Sequence, residues 1–158
     1  MGPKHHFEIS INYGDIFEDS HPSSSLAHCV SSDFKLGKGI AKEFLRKFDG
    51  LHELKEAGDA QIGSVVAVRE GRRFIYNLIT KCKFNDLPTY ENLRHALIAM
   101  KDHAVKHGVR KISMPKIGCG LDQLNWETVK NIVNSEFSGT DIQIFVFILI
   151  RPGKLFMQ

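Results

Sequence analysis

Residues 111–129 read KISMPKIGCGLDQLNWETV. The first seven, KISMPKI (111–117), alternate apolar and polar side chains, as a half-buried strand does. Gly118-Cys119-Gly120 interrupts the alternation, Leu121 and Asp122 follow, and NWETVKNIVNSEF (125–137) resumes with helical spacing. Strand, glycine loop and helix in that order form the repeating unit of an open α/β sheet.

The rest of the chain repeats the unit. IQIFVFILI (142–150) has the β-branched content of a buried strand, and it is far shorter than the roughly 20 apolar residues of a membrane span. Upstream, Pro88-Thr89-Tyr90 opens a helix to about His107, with Leu93, Leu97, Met100 and Ala104 as its apolar stripe and Gly108 as its stop. GSVVAVRE (63–70) and RFIYNLITK (73–81) flank a Gly-Arg turn and predict a hairpin. LGKGIAKEFLRKF (36–48) runs from glycines into a helix with Ile40, Phe44, Leu45 and Phe48 on one face. LHELKEAG (51–58) is a weaker helical turn closed by Gly58, while SLAHCVS (25–31) and FEISINY (7–13) read as strands. Strands apolar on both faces, interleaved with helices, predict a three-layer α/β/α sandwich around a mixed, mostly parallel sheet. At 158 residues without linker or repeat, the chain is expected to be one domain, 1–158, with its core over about 8–150 and short flexible tails.

Composition excludes little else. The 42% hydrophobic and 25% charged content is that of a globular protein. MGPKHH lacks the pattern of a secretory leader, and Pro3 and His6 spoil a myristoylation signal. Cys29, Cys82 and Cys119 show no CxxC spacing, which argues against a disulfide framework or structural zinc and for a reducing compartment. The net charge of +3 suits a phosphate-bearing ligand and equally a plain solvated surface.

In open α/β sheets ligands bind beyond the carboxyl ends of the strands. Those ends here carry Gly14-Asp15-Ile16, then His28-Cys29-Val30-Ser31 leading to LGKGIA, then Lys81, then Gly118-Cys119-Gly120-Leu121-Asp122. Two glycine loops, 37–39 and 118–120, each ahead of a helix, suit the clamping of a diphosphate by backbone amides. Each loop alone is equally a tight turn. Neither is a Walker motif, and Lys42 stands where a dinucleotide fingerprint needs its third glycine. Lys81 closes an apolar strand, so its amine is held near the crevice. Nucleophilic work needs the neutral amine, and desolvation or a neighbouring cation such as Lys83 is the physical route to it. The bland alternatives are a lysine that snorkels at a strand end and an Asp122 favoured by a helix dipole. His103 and His107 stand four apart without a third metal ligand. His28 reads as a core histidine, Cys119 as a small filler and Trp126 as a core residue.

GDIF, SLAHCVS, LGKGIA, LITK, PTYENL and SMPKIGCGLDQLNWE occur in unbroken order from about residue 8 to 150. Together they closely resemble the macrodomain of the terminal ADP-ribose protein glycohydrolase (O-acyl-ADP-ribose deacylase) family. The resemblance implies a metal-independent hydrolase without a cofactor, in which Lys81 attacks the anomeric carbon of the distal ribose and Asp122 helps resolve the adduct. It implies that Asp15 recognises adenine while Ile16 packs on the base. Ser31 and the segment Lys116, Ile117, Gly118, Cys119, Gly120 and Leu121 would contact diphosphate and ribose beside the Gly37–Gly39 loop, and Leu149 would border the pocket. Lys38, between the loop glycines, departs from the smaller residue usual there. The implied partners are ADP-ribose, mono- and poly-ADP-ribosylated proteins and O-acetyl-ADP-ribose, with no membrane and no sequence-specific nucleic acid. The implied setting is an intracellular monomer, nuclear or cytoplasmic, in the reversal of ADP-ribosylation and the DNA damage response.

Two other classes stay open from the residues alone. An ADP-ribose reader needs the glycine loops and Asp15 but neither Lys81 nor Asp122. A nucleic-acid-binding domain is suggested only by the basic balance, without the interleaved aromatic and basic residues of RNA-binding surfaces.

Overall fold

The computed structural model describes residues 6–57, 60–151 and 154–156. Its elements in chain order are β1 (Glu8–Tyr13), α1 (Ile16–Asp19), β2 (Ser25–Ser31), α2 (Gly39–Lys47), a 3-10 segment (Asp49–Ala57), β3 (Val65–Glu70) and β4 (Arg73–Lys81). There follow α3 (Tyr90–Lys106), β5 (Lys111–Met114), α4 (Trp126–Phe137), β6 (Gln143–Arg151) and β7 (Lys154–Phe156).

The strands order as β1-β6-β5-β2-β4-β3. The first five run parallel to their neighbours, and β3 returns antiparallel to β4 as the hairpin that its Gly-Arg turn predicts. β7 folds back antiparallel on the end of β6, within what the sequence suggested was a tail. The expected loose ends at 1–5 and 157–158 lie outside the described residues, as does Gly58.

Both faces of the sheet are covered because its strands carry apolar side chains on both. On β2, Leu26 and Val30 join one core with Phe44 of α2 and Leu51 and Leu54 of the 3-10 segment. Ala27, on the opposite face, joins a second core with Leu93, Leu97 and Met100 of α3 and Val129, Val133 and Phe137 of α4. β4 divides likewise, Ile75 and Ile79 to the first core and Tyr76 and Leu78 to the second. Each large apolar side chain so buried contributes roughly 1.5–3 kcal/mol. The three-layer sandwich is therefore the observed architecture.

Three local readings need correction. KISMPKI was expected to remain a strand to 117, but β5 ends at Met114 because Pro115 has no amide to give the sheet. α1 was not foreseen. It is four residues long, too short for periodicity, and rests on Asp15, whose side chain accepts from the Phe17 amide. Trp126 is half-buried at the margin of the second core, with Lys116 Nζ 5.8 Å from its ring.

Candidate active site

The carboxyl ends of the five parallel strands lie at one end of the sheet, and the loops leaving β2, β4 and β5 enclose a cleft there. Its volume is about 270 Å³, and its walls include Ser31, Lys38, Phe84, Gly118, Leu121 and Asp122, with Lys81 among them.

Lys81 is the last residue of β4. A register shift between Val30 and Ser31 sets Ser31 opposite it, and the Ser32 amide donates to the Lys81 carbonyl at 2.8 Å. Its stem extends from a strand buried at Ile79 and Thr80, and its side chain is only 12% exposed. Asp122 comes from the loop after β5. Nested turns shape that loop: the Leu124 amide donates to the Gly118 carbonyl at 2.7 Å and the Gln123 amide to the Gly120 carbonyl at 3.1 Å. Gly118 makes the reversal possible, since its φ of +73° is open to glycine and strained for other residues. The result is a direct contact: Lys81 Nζ donates to Asp122 Oδ1 at 2.6 Å. At 16% exposure, Asp122 is nearly as sheltered as the lysine.

Two cysteines adjoin this pair. Burial pushes the Cys29 thiol far above its ordinary range, Asp122 reinforces the shift and Lys81 opposes it. Burial likewise raises Cys119 to about 11. Both are protonated fillers at neutral pH rather than activated thiolates. His28 is fully buried, its Nε2 2.6 Å from Asn77 Oδ1 and its ring stacked on Phe44 at 3.9 Å. His103 and His107 stack on each other at 3.9 Å, and His103 Nδ1 lies 2.9 Å from the Tyr76 hydroxyl. Among the described residues no three His, Cys, Asp or Glu side chains gather as a metal site requires.

Of the residues singled out from sequence, the cleft brings together Ser31, Lys81, Ile117, Gly118, Leu121 and Asp122. Gly37 and Gly39 flank Lys38 without lining the cleft, and Lys116, Cys119 and Gly120 are likewise outside its lining. Asp15, Ile16 and Leu149 lie at the ends of β1 and β6, beyond the cleft's lining. Asp15 Oδ1 accepts from the Phe17 amide at 2.8 Å, and Ile16 is 5% exposed within the first core. Sequence reasoning missed Phe84 and Asp33. Both fall in stretches read only as connections; for Asp33 the available signal is a carboxylate within a Ser-Ser-Asp turn, placed to accept from the amide two residues on.

An open, mostly parallel sheet with a cleft at its strand ends, walled in part by the Gly118 loop, defines an α/β ligand-binding domain. More narrowly, the chain belongs to the macro domain family, whose model matches residues 27–133. It is 47% identical to the ADP-ribose glycohydrolase OARD1 of Bos taurus over 136 residues, which covers 86% of this chain and 88% of that protein. The Homo sapiens protein of the same name is 46% identical over the same lengths. Among solved structures, the macrodomain of Thermus aquaticus DarG superposes with a TM-score of 0.80 at 24% identity, covering 92% of this chain and 99% of that one. No helix among the described residues is long and apolar enough to cross a membrane.

Proposed function

We propose that this chain is an ADP-ribose glycohydrolase that frees terminal ADP-ribose from glutamate and aspartate side chains and cleaves the corresponding ester of O-acyl-ADP-ribose. The observation that carries the reading is the sheltered 2.6 Å contact between Lys81 Nζ and Asp122 Oδ1 in the cleft. The OARD1 relatives, named ADP-ribose glycohydrolases, support it.

The bond to be broken joins a carboxylate oxygen to the anomeric carbon of the distal ribose. Asp122 takes a proton from Nζ, and the freed lone pair forms the bond from nitrogen to the anomeric carbon. The carbon–oxygen bond breaks as this forms, and its electron pair leaves with the carboxylate. A carboxylic acid has a pKa of about 4, so that group departs without a proton. The adduct nitrogen releases a proton to solvent, and its lone pair opens the ribose ring as Asp122 returns to the ring oxygen the proton it took, leaving a protonated imine and an ionised Asp122. Asp122 then takes a proton from a water that adds to the same carbon and passes it to the nitrogen, the carbon–nitrogen bond breaks, and Lys81 is restored.

The other residues bind. Asp15 and Ile16 take the adenine, Ser31 and the Lys116–Leu121 segment take diphosphate and ribose, and Leu149 borders the pocket. The partners are then ADP-ribose itself and proteins bearing it. The test is release of ADP-ribose from a protein automodified on glutamate. Product far above the enzyme concentration is expected. Lys81→Ala is expected to abolish turnover while ADP-ribose affinity moves less than about threefold. Full turnover in Lys81→Ala would sink the mechanism, and binding without turnover in the wild type would leave a reader.

A further inference from the structure

Asp33 has no part in the binding or bond exchange just assigned, yet it touches Ser31 and joins the loop after β2 to the loop that follows Lys81. Ser31, Ser32, Asp33 and Phe34 close a tight turn in which the Phe34 amide donates to the Ser31 carbonyl at 3.0 Å. Phe34 has φ of +53°, a region that a bulky side chain rarely adopts, and its ring is 2% exposed in the first core. The Asp33 carboxylate spans that strained residue. Oδ1 accepts from the Ser31 hydroxyl at 2.5 Å and from the Lys35 amide at 3.2 Å. Oδ2 reaches across to the other loop and accepts from the Phe84 amide at 3.4 Å.

The same two segments are also tied at Lys81 itself, through the Ser32 amide on its carbonyl. Residues 81–84 are thus fastened at both ends to residues 32–33. Above this junction Lys35 Nζ and Lys38 Nζ each lie 5.5 Å from the Phe84 ring centroid, closing the seam over the cleft wall. Burial works against the Asp33 charge, but the Ser31 hydroxyl, the two amides and the Lys35 ammonium outweigh it and hold the carboxyl below its usual range. Asp33 therefore offers acceptor oxygens on both sides at neutral pH.

We propose that Asp33 is a positioning residue: by clasping the loop after β2 to the loop after β4, it fixes the backbone from which Lys81 reaches the anomeric carbon. This rests on Lys81 being the nucleophile. Without the clasp the Phe84 amide loses its acceptor, Phe34 is freed from its left-handed conformation, and the segment after Lys81 drifts. Small displacements of a reacting group carry large rate penalties, about a hundredfold for 1 Å.

The experiment uses the full chain, a glutamate-ADP-ribosylated peptide at saturation, and cyanoborohydride to trap the Lys81 imine, read by mass. Asp33→Ala is expected to slow adduct formation about tenfold or more, and Asp33→Asn, which keeps one acceptor oxygen, by a smaller factor. ADP-ribose affinity by calorimetry is expected to move less than about threefold in both. A merely structural loss would lower the amount of adduct without changing its rate constant, and that pattern overturns the proposal. So does an unchanged rate, or weakened affinity with an unchanged rate at saturation. If Asp33→Ala fails to fold, the isosteric Asn variant decides. A wild type that forms no adduct refutes the lysine mechanism and this inference with it, whereas adduct in the wild type and equally fast adduct in both variants refutes the inference alone.

Discussion

His28 stands in the middle of β2, fully buried between the sheet and α2, and its protonation state is readable from its neighbours. Asn77 spends its Nδ2 on the carbonyls of Val66 and Ile75, so its Oδ1 is left to accept, and His28 Nε2 carries the proton that fills it. Nδ1 has no hydrogen-bond partner among the described residues. Burial lowers the imidazole from 6.5 to about 4, only partly offset by the bond to Asn77. The folded chain thus refuses a proton that the unfolded chain accepts between about pH 6.5 and 4. Each proton taken up in that window favours unfolding, so stability is complete above it and declines as pH falls through it, by on the order of 3 kcal/mol across the full shift. Thermal melts from pH 7.5 down to 4.5 are expected to show the decline. His28→Gln, which can still donate to Asn77, is expected to be less stable at pH 7.5 but shallower in its pH dependence. An equally steep profile in that variant would assign the pH sensitivity elsewhere.

The element that matters most for the site is the connection between β5 and α4. Its reversal at Gly118 places Asp122 against Lys81, and a Cβ at Gly118 would stand 2.9 Å from Leu124 Cδ1. The end of Leu124 can swing aside, but a φ of +73° cannot be relieved without reshaping the loop. Gly118→Ala is therefore expected to cost about 1–2 kcal/mol of stability by denaturant titration, and to lower turnover further by moving Asp122. Much of this was legible in the sequence. The run from KISM through the glycines to NWETV displays its strand, its turn and its helix, because each obeys its own period. The α3 stripe and the β6 run are equally plain. What sequence hid is what periodicity does not record. Pro115 ended β5 early through a missing amide, and α1 hangs on one side-chain cap. Lys81 and Asp122 were visible as charged residues at strand and loop ends, though not their contact across forty-odd positions of chain. Asp33's local partners, the Ser31 hydroxyl and the Lys35 amide, lie two residues away, but the Phe84 amide that makes it a clasp is brought to it only by the fold.

At the scale of the whole molecule, the parallel strands deliver the loops after β2, β4 and β5 to one end, and a ligand there bridges all three. A ligand bound to the folded chain alone stabilises all of it by linkage, about 2.7 kcal/mol at one hundred times its dissociation constant. For a domain of this size each kcal/mol moves the melting temperature by about 2–4 °C, so ADP-ribose at that level is expected to raise it by roughly 5–11 °C. Lys81→Ala should keep most of the shift, because Lys81 is assigned to bond exchange rather than to holding the nucleotide. Gly118→Ala should lose much of it at the same ligand concentration, because its loop walls the cleft. The order of the three shifts separates binding from chemistry without an activity assay. A Lys81→Ala variant that no longer responds to ADP-ribose would make the lysine a ligand contact in place of a nucleophile. A wild type unmoved by saturating ADP-ribose would remove the nucleotide from the cleft altogether.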